Sequence, residues 1–578
     1  MSNNIGQFQF IREFNDKNRT PFNDKLFDRS DDEIINELKK VILSCERSKY
    51  FTLKVQNFFV VDDYPTMMKM LREQEKVKSD SKDKDFNRYD YIALKDSDIR
   101  LLVVDYFIKV KYPKKESLGE KTLRVLIMVP RFVDKYYFKI FGNYYCPKYQ
   151  IVDGSTYNNA NSNAKCQNVT FKSLFMATRI YKYNADFKFI NTPVAVKGNF
   201  YQSAIFNKSV PVMKYILARY GLLGSMNALG VPELYIHNED PKNDNWYTLK
   251  QHNIYISIPK FLFDNDVVAQ SLMYTVYLGI TNKEFTAEMV WTTEFWLRSL
   301  GESYSNKTPE KGMSVLESLE SIYDIPTREA LRLPDQYKKD IYHVLIWIIR
   351  EFSELRKKNN LDVGTKRVRL AEYIAALYAL KLSNGMFSFS EEGDKIQVSQ
   401  IEKRIFTFPD YLLKAISRDR IMASKNNVND MDAFSAIKWT FKGVSGLGDS
   451  KDSAIPQGYK QVHPSHLGRI DLDSSSPNDP GMSGVLCPMA PIFDNYFSDF
   501  SEPNNWREDV RNMLLEYRKM KGLKEVFTFQ KEIGIIPDDT AEGTVDETID
   551  IVEKRIVPFI IQVDERMLDI SPVKFSEV

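Results

Sequence analysis

Cysteine is scarce: there are four in 578 residues, at Cys45, Cys146, Cys166 and Cys487, with no Cys-x-x-Cys pair. That spacing excludes a disulfide framework and an all-cysteine zinc site, and it suits a reducing compartment. An excess of one charge sign is also lacking. Lys and Arg total 80 against 78 Asp and Glu, a net +2, which excludes a polybasic membrane-binding or histone-like protein but not a local basic groove. Long apolar runs are absent; stretches such as Val344–Ile349 fall far short of the roughly 20 residues a bilayer needs. The first twenty residues alternate polar and aromatic types without an apolar core, unlike a signal peptide. With 43% hydrophobic and 27% charged residues, the expectation is a soluble, intracellular, globular protein of several units.

Enzymatic signatures are missing as well. There is no Gly-x-x-x-x-Gly-Lys-Ser/Thr loop, no His-Glu-x-x-His and no Gly-x-Ser-x-Gly. Gly446 and Gly448 lack the third glycine of a dinucleotide fingerprint. Two-metal nucleotidyl transfer needs clustered carboxylates, and the chain has no Asp-x-Asp-x-Asp run; Asp471 and Asp473 form only a pair. Metal-assisted phosphoryl chemistry by this chain alone is therefore not expected, and no catalytic or metal-ligating residue is assigned to it.

What is present reads as a mixture of helices and strands. Residues 1–29 read as a loosely held arm, after which Ser30 with Glu33 forms a capping box ahead of Ile34, Ile35, Leu38, Val41 and Ile42 at helical spacing. Residues 51–61, 99–112 and 123–129 are rich in β-branched and aromatic types and read as strands, with a charged solvated run at 75–85. Residues 154–168 are polar and mark a surface loop and a boundary. Asp335 is expected to cap a helix whose stripe runs from Ile341 to Leu355, and Arg367–Lys381 reads as a second helix. Turn residues dominate 443–491; a helix is expected over 508–521, then an acidic loop and a last strand-like segment, RIVPFIIQV. The fold class is α+β and multidomain.

The most distinctive segment is Val462-His463-Pro464-Ser465-His466-Leu467-Gly468-Arg469-Ile470, which holds two of the five histidines. It admits a structural turn whose imidazoles satisfy buried carbonyls, a metal site using both histidines, or a set of donors for a phosphate backbone. Composition does not choose among the three.

Taken with Lys442-Gly443-Val444-Ser445-Gly446-Leu447-Gly448 before it and Ser483-Gly484-Val485-Leu486 after it, this block resembles the fork region of the multisubunit RNA polymerase β subunit. There a Ser-x-Leu-Gly element precedes a His-Pro-Ser/Thr-His-aromatic-Gly-Arg block and a Gly-Leu-Ile strand. A weaker match, Val129-Pro130-Arg131-Phe132 through Phe138 to Asn143, resembles the end of the family's first protrusion half. Leu467 departs from the family's aromatic, and Ser474–Gly481 replaces its glutamate-bearing turn. The chain also ends soon after the fork block, before the family's active-centre lysines and acidic pair. The sequence thus resembles the N-terminal part of a split β subunit, as in the multisubunit polymerases of jumbo bacteriophages.

That resemblance implies an RNA polymerase β-like protrusion and lobe with a fork region. It implies an arm over 1–24, the first part of the protrusion over 25–150, a lobe over 151–395, the second part of the protrusion with the fork over 396–510, and a segment over 511–578 packing on the partner β fragment. The fork loop, Gly448–Tyr459, would lie where the DNA strands part. Lys451 and Lys460 would meet phosphates, while Ile455, Pro456 and Tyr459 form an apolar wedge. Lys442, Ser445, His463, His466 and Arg469 would position nucleic acid or brace the fork. Ten Lys and Arg against four acids over 101–150 could line the channel. The implied activity is DNA-directed RNA synthesis, in complex only. A β′-like subunit would hold Mg2+, a C-terminal β fragment would bring the lysines, and a promoter-specificity subunit could join. The expected place is the cytoplasm of the infected bacterial host or the virion, with no membrane partner. The rival reading is a non-enzymatic phage structural or DNA-binding protein.

Overall fold

The computed structural model describes residues 29–45, 51–78, 98–110, 119–133, 137–158, 167–174, 176–206, 208–358, 361–387, 397–406, 408–419, 421–424, 437–444, 446, 463–466, 469–471, 483–487, 490, 492–493 and 495–497. Those residues build a mixed α+β protein with two separate apolar cores.

The first core forms around the N-terminal helix and sheet. Helix Asp31–Ser44 carries Ile34, Ile35, Leu38, Val41 and Ile42 on its buried face and three acids in its first turn, where the helix dipole favours them. Ser30 Oγ accepts from Asp32 N at 3.2 Å, one residue short of the spacing a capping box anticipates. Strands Phe51–Val61, Ile99–Val110 and Glu120–Pro130 pair antiparallel in that order. The middle strand is buried along most of its length, so alternation is lost there, and its Asp105 is neutralised by Arg124 at 2.8 Å. Helices Ala371–Phe387, Val398–Ile405 and Tyr411–Arg418 return from far along the chain to close this core.

The second core gathers residues 169–355. It holds a five-stranded antiparallel sheet, a three-stranded sheet and most of the helices between Val212 and Lys357. The stretch expected as a lobe, 151–395, therefore contributes to both cores, since Tyr373–Leu382 pack in the first.

A six-stranded sheet knits remote segments together. Its order is Ser483–Val485, Lys438–Thr440, Tyr149–Asp153, Lys366–Arg369, Tyr496–Phe497 and Ile492–Phe493. Gln150 thereby pairs with Arg369 on one side and Thr440 on the other.

Two helix expectations move. The segment read as one helix over Arg367–Lys381 begins as the strand Lys366–Arg369, and the helix starts only at Ala371. The cause is tertiary: three cations in that strand are buried, Lys366 against Asp153 and both Arg367 and Arg369 against Glu372. Asp335 sits in a short 3-10 turn, Asp335–Tyr337, and the helix cap is Asp340, which accepts from His343 N at 2.9 Å. The apolar stripe is split at Glu351 into Ile341–Arg350 and Phe352–Lys357. Arg29, placed by sequence in a loose arm, is buried and donates to the Tyr149 hydroxyl at 3.3 Å and the Pro147 carbonyl at 3.1 Å. The helix expected over 508–521, the acidic loop and the last strand-like segment lie outside the described residues.

Candidate nucleic-acid interface

The candidate site begins where strand Lys438–Thr440 ends. Thr440 Oγ1 accepts from Lys442 N at 3.1 Å, and Gly446 N bonds back to Gly443 O at 2.8 Å, closing a tight turn. Gly443 takes φ +110, and a Cβ there would stand 2.8 Å from the Tyr373 hydroxyl. At Gly446 a Cβ would lie 2.4 Å from Phe441 O and 2.7 Å from Gln150 Nε2. Both glycines are thus required by close approach.

Three side chains from two distant segments, 150 and 369–373, hold this turn. Gln150 is fully buried, and its Nε2 donates to Lys442 O at 3.0 Å and to Val444 O at 3.1 Å. Arg369 donates from Nε to Gln150 Oε1 at 2.6 Å and from a terminal nitrogen to Val444 O at 2.5 Å. Tyr373 accepts from Val444 N at 3.4 Å and donates to Asp419 at 2.8 Å. Burial pushes the Tyr373 hydroxyl upward, reinforced by the Asp419 charge. It therefore remains a neutral donor at any physiological pH.

The histidine block is braced from within. His463 Nδ1 lies 2.8 Å from Ser465 Oγ and accepts from Ser465 N at 3.2 Å. Ser465 Oγ accepts from Val363 N at 3.0 Å, which leaves its own hydrogen for His463. His466 is buried and its Nε2 bonds the Leu361 carbonyl at 3.0 Å. Burial holds its imidazole below the ordinary value, outweighing that bond. Arg469 is only 1% exposed and donates to Ser465 O at 3.0 Å. Its carbonyl accepts from Cys487 N at 3.0 Å, and Ile470 bridges Leu486. The block thus ties 361–363 to 483–487.

The structure brings Lys442, His463, His466 and Arg469 into this framework, with Lys442 and His463 part-exposed and the other two buried. Ser465 and the Leu361 carbonyl engage the two imidazoles separately, at ring centroids 6.3 Å apart. Among the described residues no group of three or more His, Cys, Asp and Glu could hold a metal ion. Ser445, Gly448, Lys451, Ile455, Pro456, Tyr459 and Lys460 lie outside the described residues.

The basic stretch 101–150 carries less free charge than counting gives. Lys109 pairs with Glu120 at 2.6 Å, Lys121 with Glu402 at 2.8 Å and Arg124 with Asp105 at 2.8 Å. Arg131 lies 3.9 Å from Asp31, and Lys139 sits 5.9 Å from the Tyr144 ring centre. Lys111, Lys114, Lys115 and Lys135 lie outside the described residues.

Sequence reasoning missed Gln150, Arg369, Tyr373 and Asp419. One signal was available: Gln150 is a polar interruption in the otherwise apolar run Tyr149-Gln150-Ile151-Val152.

The fold and site define a class: a multidomain α+β protein with two apolar cores, in which one sheet pairs remote segments and a buried polar clamp fixes a glycine turn. The family model of the non-virion RNA polymerase subunit matches residues 8–509, and the chain belongs to that family. No curated protein matches the sequence.

Proposed function

We propose that this subunit is the N-terminal β-like fragment of its polymerase, forming one wall of the DNA/RNA cleft and carrying the fork. In that reading residues 25–150 and 396–510 are the two parts of the protrusion, 151–395 the lobe and 511–578 the segment that meets the C-terminal β fragment. Lys442 and His463 face nucleic acid, with Lys451, Ile455, Pro456, Tyr459 and Lys460 further along the fork. His466 and Arg469 brace the fork from inside. Mg2+ is held by carboxylates of a β′-like subunit, the remaining lysines come from the other β fragment, and RNA is made in the cytoplasm of the infected cell.

One observation carries the reading. Tyr149–Asp153, just after the first segment that resembles β, is the parallel neighbour of Lys438–Thr440, which leads into the second. Ser483–Val485, at the end of the second, pairs on the far side of Lys438–Thr440. The strand that follows the first resembling segment and the strands at the two ends of the second thus pair in one sheet, although hundreds of residues separate them.

The test is purification through a tag on this chain from infected cells. The expected result is a complex with several large subunits that makes RNA on a DNA template with Mg2+, while the isolated chain makes none. RNA synthesis by the chain alone, or recovery only of self-associated chain, overturns the reading. A stand-alone DNA-binding protein, the rival, would be recovered as a monomer that binds DNA unaided.

A further inference from the structure

The Gln150 carboxamide has two hydrogens and meets two loop carbonyls, Lys442 O at 3.0 Å and Val444 O at 3.1 Å. Its oxygen meets a donor, Arg369 Nε, at 2.6 Å. Exchanging the amide oxygen and nitrogen would set oxygen against two carbonyl oxygens and N–H against a guanidinium. Arg369 therefore decides which way Gln150 points. Arg369 is itself held: its strand pairs with Gln150, a terminal nitrogen reaches Glu372 at 3.5 Å, and the other terminal nitrogen donates to Val444 O at 2.5 Å. Both side chains are buried, so neither can touch a ligand. Lys442, in contrast, is part-exposed, and its backbone carbonyl is one of the two groups the clamp grips.

We propose that Gln150 and Arg369 are positioning residues that aim the Lys442 ammonium at a nucleic-acid phosphate by fixing the path of the turn from Lys442 to Gly446. The inference rests on the proposed function, in which Lys442 meets nucleic acid. Gln150 sets the two carbonyls, Arg369 sets Gln150, and Gly443 and Gly446 allow the backbone to come close enough for both.

The test is a double-mutant cycle in the polymerase assembled from this chain and the subunits that co-purify with it, binding a labelled DNA template over a salt series. Lys442→Ala removes the ammonium. Gln150→Glu keeps the shape but replaces the donor by an oxygen. Each is expected to weaken binding by a similar factor and to lower the slope of log affinity against log salt by about 0.9, one phosphate contact. The double variant is expected to bind no more weakly than the weaker single, because both changes remove the same contact. Multiplied losses in the double variant, or wild-type binding by Gln150→Glu, overturn the inference. If Lys442→Ala alone binds as wild type, the phosphate role of Lys442 fails and the inference falls with it. Should Gln150→Glu not assemble, Arg369→Lys goes through the same cycle, since an ammonium lacks the rigid fork whose separate nitrogens serve Gln150 and Val444.

Discussion

Gln150 Nε2 donates to the Val444 carbonyl at 3.1 Å although 294 residues separate them in the chain. This bond joins strand Tyr149–Asp153 of the six-stranded sheet to the turn that opens the candidate site. Its neighbours make the arrangement specific: Arg369 on the amide oxygen and two glycines that leave it room.

The glycines separate strain from crowding. Gly443→Ala meets both a φ of +110 and a contact at 2.8 Å, Gly446→Ala meets a contact at 2.4 Å, and Gly142→Ala meets only a φ of +83 in open space. Calorimetry is expected to show the first two destabilised by about 2–4 kcal/mol and Gly142→Ala by about 1 kcal/mol. Equal losses at all three would refute the close-packed clamp.

Glu372 faces two buried arginines, Arg367 and Arg369. Glu372→Gln leaves both cations beside one neutral amide, and the expected cost is about 3–5 kcal/mol in urea unfolding. A change below about 1 kcal/mol, the range of exposed pairs, would mean the arginines are solvated.

His466 links pH to folding. Its ring is held below the ordinary 6.5 by burial. As pH falls below 6.5 the unfolded chain takes up a proton that the folded ring refuses, so stability falls with it until the folded value is reached. His466→Gln is expected to flatten that part of the stability curve. An unchanged slope would remove His466 as its source.

Asp324 acts in the opposite sense. Burial raises its carboxyl from 3.8 to about 6, although Thr327 and Leu174 amides favour the charged form. Between those values the folded state holds a proton the unfolded state has released, so stability declines as pH rises across the window. Asp324→Asn removes the titrating group, keeps an oxygen for only one of the two amides, and should abolish that decline; chemical unfolding at pH 4, 5 and 6.5 checks it.

Strand content near the N-terminus was legible because β-branched runs at 51–61, 99–112 and 123–129 need no distant partner to declare themselves. Helix Asp31–Ser44 was legible for the same reason: its cap and apolar spacing are local. The site was half legible. The glycine turn and the histidine block stand out by composition, but nothing near them names Gln150 or Arg369.

By itself the sequence determined the mixed α+β class, the N-terminal elements and the order of segments that resemble a polymerase fork, since propensity, capping and motif spacing are properties of neighbouring residues. Only the tertiary structure decided that Lys366–Arg369 is a strand, that His466 and Arg469 point inward and that the turn after Thr440 is gripped from residues 150, 369 and 373. Each of these depends on where a buried charge or amide finds its partner. Such partners come from chain segments that no local pattern can bring together.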